Sequence, residues 1–199
     1  MPIAEIRDIT PHTRLGLWRM DETPQELKAR FPHLAALESP FKHEGRQKEF
    51  YSVRALLALM TGDEQLRISY EESGKPLVEG WNISISHTKG FAALILSRIE
   101  PVAVDIEQQS ARVDNIASRY IRPDEDADTN DRKLTVWSAK ETLYKLHSED
   151  DLQFFEMRVT EWHPSHIVIE NMKRSQQVTV HHELTPWYVL TYHPTSLPR

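Results

Sequence analysis

Apolar residues recur at helical spacing between about Gly45 and Met60. Phe50, Val53, Leu57 and Met60 share one stripe and Leu56 widens it, while Arg46, Lys48, Glu49 and Arg54 fall mostly off it. This pattern predicts a helix, closed by Thr61-Gly62-Asp63. Residues 132–147 predict a second helix with two competing apolar faces. Leu134 and Trp137 form one; Val136, Ala139, Leu143 and Leu146 form the other, nearly opposite, so periodicity leaves open which of them is core. Residues 1–20 read as one or two short strands with Leu15, Leu17 and Trp18 as core. Further strands are expected at Leu66–Tyr70, Ile83–Ser86, Phe91–Leu96 and Val102–Glu107, then near 157–162, 167–171, 177–182 and 187–192. Asp21–Pro40 reads as short helix and loop, Arg98–Pro101 as a hairpin closing into Val102–Glu107, and Asn115–Ile121 as a helix before an acidic loop at Pro123–Asp131. Helices and adjacent strands mix without strict alternation, which predicts an α+β fold. Each half offers a long helix followed by strands, so two similar α+β halves are expected, 1–100 and 101–199.

Composition narrows the function classes. A chain of 199 residues with 39% hydrophobic and 27% charged residues is ordinary for a globular protein that buries a real core. The absence of cysteine excludes disulfides and thiolate metal sites, and is compatible with a reducing cytoplasm. No apolar run is long enough for a transmembrane helix, and the first residues carry charges rather than an apolar signal core; no membrane association is expected. A net charge of −6 argues against bulk nucleic-acid binding. The charge is uneven, however. Residues 28–54 are rich in Lys and Arg, whereas residues 105–131 hold eight acids against Arg112, Arg119 and Arg122. Two solvated loops would explain this, as would cations for phosphate and carboxylates for a metal.

The second explanation gains from local patterns. On a strand at Val102–Glu107, Val102, Val104 and Ile106 point one way and Ala103, Asp105 and Glu107 the other, so two carboxylates project from one surface. Like charges so close favour a cation between them, and oxygen ligands suit a hard ion such as Mg²⁺. In Trp137-Ser138-Ala139-Lys140-Glu141, followed by Lys145, Glu141 and Lys145 stand i,i+4 and are placed to pair. Gly74-Lys75-Pro76 puts a lysine in a turn, and Ser86-His87 ends a strand where hydroxyl, imidazole and amides can gather around an anion. The remaining histidines, His163, His166, His181 and His182, lack a companion motif and read as surface or edge residues.

Taken together and in order, Gly74-Lys75-Pro76, Ile85-Ser86-His87, Val104-Asp105-Ile106-Glu107 and Trp137-Ser138-Ala139-Lys140-Glu141 with Lys145 resemble the 4'-phosphopantetheinyl transferases. The similarity is closer to the single-chain, pseudo-dimeric, surfactin-synthetase-activating type, built from two α+β halves. The resemblance implies transfer of the phosphopantetheine arm of coenzyme A to a serine of an apo acyl or peptidyl carrier protein, with release of adenosine 3',5'-bisphosphate. It implies Mg²⁺ held by Asp105, Glu107 and Glu141, with Glu141 also the candidate base and Lys145 supporting the leaving phosphate. Lys75, Ser86 and His87 would touch the phosphates of coenzyme A, and Arg46 its 3'-phosphate. The first half would then carry the basic, coenzyme A-binding elements and the second the metal and the catalytic helix, in a cytoplasmic monomer. The residues 124–131 fall where the family contacts its carrier. A non-catalytic relative that binds coenzyme A or carrier protein, and a Mg²⁺-dependent phosphohydrolase, remain as alternatives.

Overall fold

The computed structural model describes residues 4–194; residues 1–3 and 195–199, the outer ends of the two expected halves, lie outside the described residues. The chain divides between Pro101 and Val102 into two compact units.

The N-terminal unit is an antiparallel sheet with one long helix on it. The strands are β1 (Ala4–Thr10), β2 (Thr13–Arg19), β5 (Asn82–Thr88) and β6 (Phe91–Ser97), in the order β1-β2-β6-β5. Between β2 and β5 come α1 (Pro24–Arg30), α2 (Glu44–Thr61) and the two-residue strands β3 (Ser69–Tyr70) and β4 (Pro76–Leu77), which pair with each other. The expected strand at Leu66–Tyr70 thus shrinks to its last two residues. Thr23 opens α1 with a reciprocal capping box to Glu26, and Gly62, at φ 72°, closes α2 where a side chain would be strained. The apolar stripe of α2 reaches the sheet: Val53, Leu56, Leu57 and Met60 are buried with Trp18, Ile83, Leu94 and Leu96, while Phe50 packs at the margin of that core. Gly16 on β2 makes the approach close. A Cβ there would meet Met60 Sδ at 2.5 Å and Leu56 Cδ1 at 2.9 Å.

The C-terminal unit has five antiparallel strands in the order β7-β11-β10-β9-β8: β7 (Ala103–Gln108), β8 (Met157–Trp162), β9 (His166–Asn171), β10 (Gln176–Leu184) and β11 (Tyr188–His193). Helix α3 (Asn130–Leu146) packs on β7, β10 and β11. It settles the question of faces by burying a broad arc that includes Leu134, Val136, Ala139 and Leu143. The expected helix at Asn115–Ile121 is instead a pair of short 3-10 turns, Ala111–Asn115 and Ala117–Arg119. The expected hairpin at Arg98–Pro101 does not form either. β6 pairs with β2 and β5, β7 pairs with β11, and the segment between them links two sheets. The two units share a circuit: in each, the strand before the long helix lies beside the last strand of the unit, with the penultimate strand next to that. Among the described residues no helix is long and apolar enough to cross a membrane.

Candidate functional site

Strand alternation places Ala103, Asp105 and Glu107 on the face of β7 that α3 covers, and the neighbouring strand sets Thr191 directly opposite Asp105. Asp105 is buried. One of its carboxylate oxygens accepts from Ser138 Oγ at 2.8 Å and the other from Lys145 Nζ at 2.7 Å; Lys145 also donates to the Val104 carbonyl at 3.1 Å. The expected i,i+4 pairing of Lys145 with Glu141 is therefore replaced by one across to the sheet. Glu107 accepts from the indole Nε1 of Trp137 at 2.9 Å. Trp137 is itself held by edge-on contact with Tyr120 and a tilted contact with Phe154, both at 5.0 Å between ring centroids, so its N–H has a fixed aim.

The three carboxylates lie in one electrostatic field. Burial, then the negative charge of Asp105 and, more weakly, of Glu141, pushes Glu107 up to about 7 against the opposing Trp137 hydrogen bond and Lys145. Burial and then Asp105 raise Glu141, with Lys145 opposing. One ammonium serves three acids. Such an all-oxygen, like-charged set fits a hard divalent cation, which would relieve the repulsion that a single lysine leaves. The set is not drawn into a closed cage: among the described residues, no three His, Asp or Glu side chains stand in a ready-made metal-holding group.

The residue before Glu141 is fully buried. Lys140 shares the helix face of Val136, Ala139 and Leu143, and its three N–H groups meet three acceptors: the Tyr120 carbonyl at 2.7 Å, Glu125 Oε2 at 2.8 Å and the Phe154 carbonyl at 3.1 Å. Glu125 is as buried, and also accepts from the backbone N–H of Val159 and of Arg122. Burial draws the Lys140 ammonium down and the Glu125 charge opposes it. The pair fastens the acidic loop, the aromatic cluster and β8 to the helical turn that presents Glu141.

In the N-terminal unit, a cavity of about 440 Å³ opens beside α2. Arg46 and His87 meet there, Nη1 to Nε2 at 3.3 Å, and both approach Glu49, at 2.6 and 3.5 Å. Phe41 and Phe50 stand edge-on at 6.5 Å; the Arg46 guanidinium lies over the first ring and that of Arg54 over the second, at 3.5 Å from its centroid. Gly74, at φ 86°, and Pro76 line the cavity on either side of the exposed Lys75, so the turn carries that lysine to its rim. Ser86 lies on the face of β5 opposite to Ile85 and His87, which line the cavity. Arg46 and His87 are thus brought together, Lys75 is placed at the rim, and Ser86 is turned away.

Residues 101–193 match the family model of the 4'-phosphopantetheinyl transferase superfamily. The match falls almost wholly within the C-terminal unit. A comparison with curated proteins found no match. The matched segment contains Asp105, Glu107, Glu141 and Lys145, and the match supports phosphopantetheinyl transfer as its general chemistry.

Sequence reasoning missed several residues of this unit. Lys140 was visible as a lysine on the apolar arc of Val136, Ala139 and Leu143, a position that demands a buried partner. Glu125 was hidden among the acids of residues 123–131, and only the fold separates it from its exposed neighbours. Ser138, Thr142 and Thr191 carry no charge and follow no pattern that marks them. In the other unit, Arg54 falls off the apolar stripe of α2, and only the fold shows its guanidinium stacked on Phe50 at the cavity wall.

Proposed function

We propose that this protein transfers the 4'-phosphopantetheine arm of coenzyme A to a serine of an apo acyl or peptidyl carrier protein and releases adenosine 3',5'-bisphosphate, as a single-chain transferase of the surfactin-synthetase-activating type. The observation that carries this reading is the family match over residues 101–193 together with three carboxylates of that segment interacting in one field. Asp105, Glu107 and Glu141 would hold Mg²⁺, which when bound supplies positive charge to the diphosphate oxygens.

The remaining work falls to side chains. The serine Oγ forms a bond to the β-phosphorus, and the bond from that phosphorus to the bridging oxygen breaks, leaving the electron pair on the departing nucleotide. Glu141 takes the serine proton directly or through a water, as a carboxylate within reach of the hydroxyl can. Lys145 meets the charge that develops on the departing phosphate. In the N-terminal unit, Arg46 and His87 would receive phosphate oxygens of coenzyme A, with Lys75 reaching over from its turn and the aromatic rings beside them offering a surface for the adenine. Ser86, on the other face of β5, is left out of this group. No side-chain nucleophile is needed, in keeping with a chain without cysteine.

The test is incubation with coenzyme A, Mg²⁺ and apo carrier protein, followed by chromatography for adenosine 3',5'-bisphosphate. Release that requires the carrier and matches its consumption supports the proposal. Release without any carrier identifies a phosphohydrolase, and none at all a binding protein.

A further inference from the structure

Asp105 is the most deeply buried of the three carboxylates, and one of its oxygens rests on a run of hydroxyls. Ser138, Thr142 and Thr191 are each fully buried. The first two stand i,i+4 on one face of α3, and the third lies opposite Asp105 across the β7–β11 register. Their hydrogen-bond directions follow from the inventory of protons. A carboxylate can only accept, so Ser138 Oγ gives its one proton to Asp105 at 2.8 Å. Thr191 Oγ1, 2.9 Å from Ser138, then donates to it, and Thr142 Oγ1, 2.7 Å from Thr191, donates in turn. Thr142 Oγ1 also lies 3.4 Å from the Thr191 carbonyl, the longer of its two contacts; along the shorter contacts the run points at Asp105.

Core packing alone does not call for this arrangement. Valine or alanine would fill the same space without the cost of desolvating a hydroxyl. Thr135 illustrates the other use of a buried hydroxyl on the same helix: its Oγ1 donates to the Asp131 carbonyl one turn back and orients nothing beyond the helix.

We propose that Ser138 and Thr191 are positioning residues that fix the orientation of the Asp105 carboxylate, so that the affinity of this chain for a divalent cation depends on two side chains that do not touch the cation. The proposal rests on the reading of Asp105 as a metal ligand. Partners one shell removed from a metal typically change affinity by about 10- to 100-fold when they are lost.

The experiment is a Mn²⁺ titration of the full chain followed by electron paramagnetic resonance, without coenzyme A or carrier protein, alongside thermal unfolding. Ser138→Ala and Thr191→Val should each weaken Mn²⁺ binding by about tenfold or more. Thr191→Ser, which keeps the hydroxyl, should bind as the wild type does, and the two Thr191 variants decide the matter if Ser138→Ala does not fold. Thr135→Val should keep wild-type affinity whatever its melting temperature. Wild-type affinity in both Ser138→Ala and Thr191→Val overturns the inference, as does a loss in Thr135→Val that matches theirs. Failure of the wild type to bind Mn²⁺ is a separate result: it removes the metal reading itself and this inference with it.

Discussion

Glu107 shows how one side chain can register its surroundings. Its carboxyl is pushed up to about 7, first by burial and then by Asp105. In the unfolded chain it would titrate near an ordinary glutamate, so between about pH 4.5 and 7 the folded state binds more protons than the unfolded one. Stability from this group is therefore fully present below that window and is lost as the pH rises through it. Urea unfolding of the chelator-treated protein across this range should show the decline, and Glu107→Gln should flatten it; an equal slope in both proteins would contradict the assignment. Glu141 makes a different prediction. Gln keeps its shape and cannot accept a proton, so Glu141→Gln should abolish transfer while circular dichroism stays at wild-type values and the melting temperature does not fall. Wild-type turnover in that variant would refute its role.

At the scale of elements, helix α3 ties packing to chemistry. Lys140 and Glu125 bury opposite charges with their acceptors and donors satisfied, and breaking such a pair from one side costs roughly 3–5 kcal/mol. Lys140→Met should therefore lower stability by about that much in chemical unfolding. Adding Glu125→Gln should restore part of it, since an amide oxygen still accepts from Val159 while the stranded charge is gone; no restoration would mean that the charge was not the cause. At the other helix, Gly16→Ala should cost about 1–3 kcal/mol, because the side-chain ends of Met60 and Leu56 that a Cβ would meet are buried in the core and have to repack. The elements themselves were largely legible in the chain. The α2 stripe, the helix at 130–146 and the late strands follow apolar periodicity, which a buried face imposes directly. The linker at Arg98–Pro101 misled because a turn between two strand-like runs looks the same whether the strands pair with each other or with distant partners. Asp105 and Glu107 could be placed on one face by alternation alone, whereas the partner of Lys145 could not, since i,i+4 spacing says nothing of a carboxylate on a sheet forty residues earlier.

For the molecule as a whole, two units with one circuit in a single chain lead to the expectation of a monomer. Sedimentation equilibrium should return the mass of one chain, 23.2 kDa, and twice that value would contradict it. The net charge of −6 bears on the proposed partner: under the proposed function, docking an acidic carrier would have to run through apolar or locally basic surface. The acidic segment is less of an obstacle than its composition suggests. Glu125 is spent inside, Asp124 pairs with Arg122 and Arg158, and Asp126 with Arg132. The central claim is that Asp105, Glu107 and Glu141 act together to move a phosphopantetheine arm onto a protein serine. The most direct measurement is the intact mass of an apo carrier protein after incubation with coenzyme A, Mg²⁺ and this chain. The account predicts a gain of one phosphopantetheine with the wild type and none with Glu141→Gln; a carrier left unmodified by the wild type, or modified equally by both, would contradict it.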